Sequence, residues 1–211
     1  MSDAQHHGHQ RPDAAGRGQD AGQDAPRRTL PRPILQVGDP VLRERAREVV
    51  PEDLPALQDL IDDMIATMRA AGGAGLAANQ IGDLHRILVA EVDHNPRYPY
   101  KPPLPLTVMI NPVIEPLGDE TLPIIEGCLS VPNLRGELER FKTIRVRYLD
   151  RDGNPGEATY EGLSAGTFQH EVDHLDGVLF LDRVTDPRTF MTWEEFERHH
   201  RDAWLARIGL Q

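Results

Sequence analysis

Apolar positions recur with helical spacing just after Pro51. In "PEDLPALQDLIDDMIATMRAAGG", Leu54, Leu57, Ile61, Met64, Ile65 and Met68 fall on one stripe, the 3.6-residue period of a helix that buries a single face. Glu52 and Asp53 suit its first turn and Gly72-Gly73 closes it. Its methionines read as core packing. The pattern then changes period. "RILVAEV" (86–92) is an apolar run of strand length, and "KTIRVRYLD" alternates Ile144, Val146 and Tyr148 against Arg145 and Arg147. "DRDGNPGE" turns that strand into "ATYEGL", a predicted hairpin. "TVMINPVIEPL" (107–117) reads as strand broken at Pro112, and the proline-rich "NPRYPYKPPLPL" (95–106) as an irregular loop.

Helical spacing returns in "LSAGTFQHEVDHLDG" (163–177), where Phe168, Val172 and Leu175 form the apolar side and Gly177 marks the end. Thr192 and Glu195 then make a capping-box pattern opening a helix to about residue 208. Helices and mostly antiparallel strands in separate blocks predict an α+β fold. In it, antiparallel sheets pack around a central helix carrying the HEVDH stretch, and a further helix lies at the C-terminus. No internal repeat is visible.

Composition narrows the picture. A chain of 211 residues is one domain of ordinary size, with 34 acidic against 23 basic residues and no long basic run. That argues against direct nucleic-acid binding. No apolar run approaches the roughly 20 residues of a membrane span, and no signal-peptide pattern follows the start. One cysteine in the whole chain precludes an internal disulfide and fits a reducing compartment, so the cytoplasm is the expected location. Residues 1–28, rich in Gly, Asp, Gln and Arg without large apolar side chains after Met1, read as a disordered tail. His6, His7 and His9 there read as solvated. Residues 29–211 carry the fold.

The candidate chemistry sits in "QHEVDHLDG" (169–177). His170 and His174 share one helical face with Glu171 beside them, the H-E-x-x-H pattern of two metal-ligating histidines and a glutamate base. The third ligand is not fixed by this stretch. A downstream histidine is excluded, because Phe180 stands where that pattern would put it. Glu194, Glu195 or Glu197 remain open by spacing, and so does Cys128 upstream in "EGCLSVP" (126–132). A lone cysteine is as often a small core residue as a ligand. A thiolate beside two imidazoles leaves one open position, as catalysis requires. A third stretch, "GGAGLAANQIG" (72–82), offers glycines that allow close backbone approach and the Gln80 amide as an oxyanion donor.

In this order the three stretches resemble the signature of the peptide deformylases: Gly73-Ala74-Gly75-Leu76-Ala77-Ala78-Asn79-Gln80, Glu126 to Ser130, and Gln169 to His174. The similarity runs over roughly residues 30 to 185. It implies hydrolytic removal of the formyl group from the N-terminal formyl-methionine of newly made proteins. It also implies a metal held by Cys128, His170 and His174, with Fe2+ the usual native ion and Zn2+ or Ni2+ able to replace it. Metal-bound hydroxide would attack the formyl carbon while Glu171 serves as general base and acid. Gln80 and the backbone N–H of Leu129 would donate to the formyl oxygen. The extended N-formylmethionyl peptide would lie beside Gly73, Ala74 and Gly75, with Arg135 near the entrance. Glu126 and Arg140 are a candidate buried pair fixing the Cys128 loop, and Asp173 a candidate for orienting a neighbour. The C-terminal helix is open to two roles, a transient ribosome contact or packing on its own domain. Two other readings stand: a peptidase with a downstream glutamate ligand, and a binding protein with a structural metal.

Overall fold

A computed structural model describes residues 29–210; the tail expected over residues 1–28, with His6, His7 and His9, lies outside the described residues. The predicted α+β architecture is present. Five strands, β1 (Gly75–Ala77), β2 (Ile87–Val92), β3 (Leu104–Pro116), β6 (Thr143–Leu149) and β7 (Pro155–Glu161), form one antiparallel sheet in the order β1-β2-β3-β6-β7. Strands β4 (Thr121–Cys128) and β5 (Val131–Phe141) make a separate hairpin.

Strand β2 explains why the sheet is covered on both sides. Leu88, Ala90 and Val92 point into one apolar cluster, Ile87 and Val89 into another, the alternation that a pleated strand imposes. Helix α1 (Leu54–Ala70) fills the second cluster with Ile61, Met64 and Met68, all fully buried. Each such side chain contributes about 1.5–3 kcal/mol of burial. Helix α2 (Gly162–Leu175) fills the first with Phe168, Val172 and Leu175, and packs on strands of both the sheet and the hairpin. It is therefore the central helix. Its end is set by Gly177, at φ 74°, whose added Cβ would stand 2.5 Å from the Arg43 carbonyl oxygen.

Three local expectations are revised. Pro112 does not break β3: the strand continues through a register shift between Ile110 and Val113, where a missing N–H costs no ladder bond. There Asn111, at φ 53°, ties the strand to Val49 by two side-chain hydrogen bonds of 2.9 and 2.8 Å. Leu104–Leu106, read as loop, belong to β3. The C-terminal helix starts at the Thr192 cap as expected but is interrupted, as α4 (Trp193–Glu195), a π-helical segment (Phe196–His200) and α5 (Arg201–Arg207). Phe196 and Trp204 of this segment pack against Ile124, Ile125 and Leu163, so it docks on its own domain. Short helix α3 (Phe180–Arg183) seals the hairpin from the other side. Among the described residues no helix is long and apolar enough to cross a membrane.

Candidate metal centre and substrate cavity

Cys128 ends β4 at a register shift, where the chain turns through Leu129 and Ser130 into β5. The turn delivers its thiol to α2. Ligand atoms of Cys128, His170 and His174 all lie within 4.8 Å of one another, the Cys128 Sγ to His174 Nε2 distance being 3.1 Å. Of the candidates left open, Cys128 is the one that the fold groups with the two histidines. Glu194 and Glu195 bond Arg198, and Glu197 bonds Arg201, on the C-terminal segment. Phe180 is buried beside the His170 ring, with centroids 6.4 Å apart.

A chain of buried charges orients the histidines. His170 Nδ1 lies 2.8 Å from Glu126 Oε2, which leaves Nε2 free to face the thiol. Arg140 donates to both Glu126 oxygens (2.7 and 3.0 Å) and to Asp173 Oδ2 (2.6 Å), while Arg183 donates twice to Asp173. The expected Glu126–Arg140 pair is thus present, and Asp173 extends it to the surface. Burial opposes the charge on Glu126, yet Arg140 and His170 hold its carboxyl far below the usual carboxylate range. His174 lacks such a partner: its Nδ1 is buried and unpaired among the described residues, and burial keeps the ring well below the ordinary histidine range.

Glu171 lies against β1. A Cβ on Gly75 would meet Glu171 Oε1 at 2.3 Å, so glycine there makes room for the carboxylate rather than only for a ligand. Glu171 Oε2 is buried with no hydrogen-bond partner among the described residues. Burial, only partly offset by His170 and Lys101, pushes its pKa up to about 7. A buried oxygen left unpaired is costly, and one aimed into a cavity suits a group that exchanges protons with a bound molecule. Gln80 is held from Oε1, which accepts from Ala77 N at 2.8 Å; its Nε2 donates to Ser130 Oγ (3.1 Å) and weakly to Cys128 Sγ (3.7 Å).

Gln80, Glu126, Cys128, His170 and Glu171 line one cavity of about 60 Å³, with Gly73, Ala74, Gly75 and Leu129 also in its wall. That is room for about four water-sized groups. Arg135 also reaches it, but as a buried residue, 2 % exposed, rather than a surface one. It donates to the Ile125 carbonyl (3.1 Å), lies 3.7 Å from the Trp193 ring centroid, and keeps Nε and Nη2 unpaired among the described residues. Phe168, on the predicted apolar side of α2, faces the core, its ring centroid 4.1 Å from that of Tyr160. Sequence reasoning missed the outer wall: Tyr98, Tyr100 and Lys101 from the proline-rich loop, and Trp204. Only the four aromatic or basic side chains clustered in that loop, Arg97, Tyr98, Tyr100 and Lys101, hinted at it.

One thiolate, two imidazoles and an open cavity fit a divalent ion with a free position; the unpaired Glu171 oxygen beside them fits hydrolytic use. Comparison with known proteins then decides the family. A family model described as polypeptide deformylase matches residues 31–190. The chain belongs to the peptide deformylase family. It is 44% identical over 165 residues to peptide deformylase 2 of Nostoc, covering 78% of this chain and 92% of that one. To peptide deformylase 1 of Corynebacterium glutamicum it is 50% identical over 156 residues, covering 74% and 88%. Among solved structures, a class I type b peptide deformylase from Acinetobacter baumannii with Met-Ala-Ser bound superposes with TM-score 0.72 at 38% identity, covering 74% of this chain and 100% of that one. The peptide deformylase from Thermotoga maritima gives 0.65 at 41%, covering 74% and 99%. As a peptide deformylase the chain is a hydrolase, and its motif-bearing residues all fall inside the matched range. The segment from Met191 onward does not.

Proposed function

We propose that residues 29–211 form a catalytic unit that hydrolyses the formyl group from N-formylmethionyl peptides, nascent chains in the cytoplasm above all. The observation that carries this reading is the clustering of Cys128, His170 and His174 beside a cavity that Glu171, with its unpaired buried oxygen, also lines. Cys128 Sγ, His170 and His174 would hold a divalent ion, which when bound would supply Lewis-acid activation of water near neutral pH. Fe2+ is the ion the family resemblance favours, and Zn2+ or Ni2+ suit the same donors.

The protein's own groups do the rest. Glu171 takes a proton from the attacking water and delivers it to the amine nitrogen as the formyl C–N bond breaks, leaving formate and a free N-terminus. Negative charge gathers on the formyl oxygen. The Leu129 backbone N–H and Gln80 Nε2, released from its long contact with Cys128 Sγ, donate there. The free edge of β1, an edge strand at Gly75–Ala77, gives the peptide backbone main-chain partners beside Gly73 and Ala74. The unpaired nitrogens of Arg135 meet carbonyl oxygens further along the peptide.

The test is formate release by chain loaded anaerobically with iron(II), on a formyl-methionyl tripeptide and its acetylated counterpart. Release from the formylated peptide alone is expected. A folded chain carrying one ion per molecule that releases none contradicts the reading.

A further inference from the structure

Lys101 is unexplained by the chemistry above. It comes from the proline-rich loop, yet its Nζ reaches over to α2, donating to Thr167 Oγ1 at 2.9 Å and standing 5.0 Å from the Tyr98 ring centroid. Among the described residues it forms no ion pair. A half-buried ammonium with one neutral hydroxyl partner is unfavourable. Its desolvation lowers its pKa to about 8, although Glu126 and Glu171 favour the charged form. Loop anchoring does not require it. Asn95 Nδ2 already donates to the Gly72 carbonyl (3.1 Å), and Tyr98 and Tyr100 pack edge-on against Trp193 and Trp204 at 5.8 and 5.4 Å.

Its position in the cavity is informative. Thr167 is four residues before Glu171 on α2, about 6 Å along the axis. Ile124, Leu163 and Gly166 line the same cavity as Glu171, Thr167 and Lys101, and the ammonium is fixed at Thr167, so a substrate side chain that runs from Glu171 towards Thr167 approaches it. Only one of its three donors is spent on Thr167. We propose that Lys101 sets the side-chain specificity of the cavity, donating to the end of the substrate's first side chain and admitting N-formyl peptides that carry an acceptor there, oxidised methionine among them. In a wholly apolar pocket a sulfoxide oxygen would be buried unpaired and rejected. Methionine's thioether is a weak acceptor, and norleucine, of nearly the same shape, is none.

This inference rests on the deformylase reading, and its test separates the two. Formate release is measured on three tripeptides beginning with formyl-methionine, formyl-norleucine and formyl-methionine sulfoxide, using the metal-loaded wild type, Lys101→Met and Lys101→Gln. A hydrogen bond to a charged donor predicts a wild-type kcat/KM at least about tenfold higher for the sulfoxide than for norleucine. Lys101→Met should reverse that order and Lys101→Gln should fall between. A wild type that prefers norleucine overturns the proposal without any variant. Unchanged ratios in Lys101→Met overturn it too, as does an equal drop on all three substrates, which would make Lys101 a loop latch. No formate from any substrate overturns the functional reading itself.

Discussion

The two walls of the cavity are held together by different physics. The inner wall is a relay of buried charge, His170 to Glu126 to Arg140 to Asp173 to Arg183, with every contact between 2.6 and 3.0 Å. The outer wall is aromatic, with Tyr98, Tyr100, Trp193, Phe196 and Trp204 meeting edge to face at 5.4 to 6.5 Å and Arg135 laid over them. Charged hydrogen bonds are directional, so the inner wall fixes where ligand atoms point. Aromatic contacts are tolerant of small shifts and contribute mainly buried area. Orientation of the chemistry belongs to the first wall, and access and side-chain choice to the second.

Cys128→Ala tests the inner wall most severely. Loss of a partner behind a ligand typically costs 10- to 100-fold in metal affinity, so removing the ligand itself should cost more than about a hundredfold, read by metal analysis after dialysis. Arg140→Met should come next. It strands Glu126 and Asp173 without their shared cation, and breaking such a buried pair costs about 3–5 kcal/mol. Thermal melting should fall by about 10 °C or more, with metal content falling too because His170 loses its fixed partner. Trp204→Phe keeps an aromatic ring but loses the 3.0 Å bond from Nε1 to the Pro123 carbonyl. A cost of about 1–2 kcal/mol is expected, with KM rising and metal content unchanged. If metal content fell as well, the division between the walls would be wrong. Arg198→Ala, removing an exposed pair with Glu194, should move stability by no more than about 0.5 kcal/mol.

The same division governs what the sequence discloses. Inner-wall residues must hold fixed types at fixed spacing, so His170, Glu171 and His174 are visible from one helical turn, and the α1 and α2 stripes from their period. Cys128 is different. Its role depends on the β4–β5 hairpin folding onto α2, a contact 46 residues distant in sequence for His174, and without the family resemblance it stayed balanced between ligand and core. Outer-wall residues carry no such signal. Lys101 and Trp204 line one cavity only because a loop and a terminal helix close over it, and neither segment has a periodicity that states its destination. Pro112 misled for a related reason: proline excludes a regular ladder but not a bulge.

The central claim is that Glu171 moves the proton while the cysteine and histidines hold the ion. Bound metal and formate release should be measured in one sample of Glu171→Gln beside the wild type. The account predicts a melting temperature close to the wild type's, one ion per chain in both, and formate release lower by about a hundredfold or more in the variant. Equal turnover at equal metal content would contradict it.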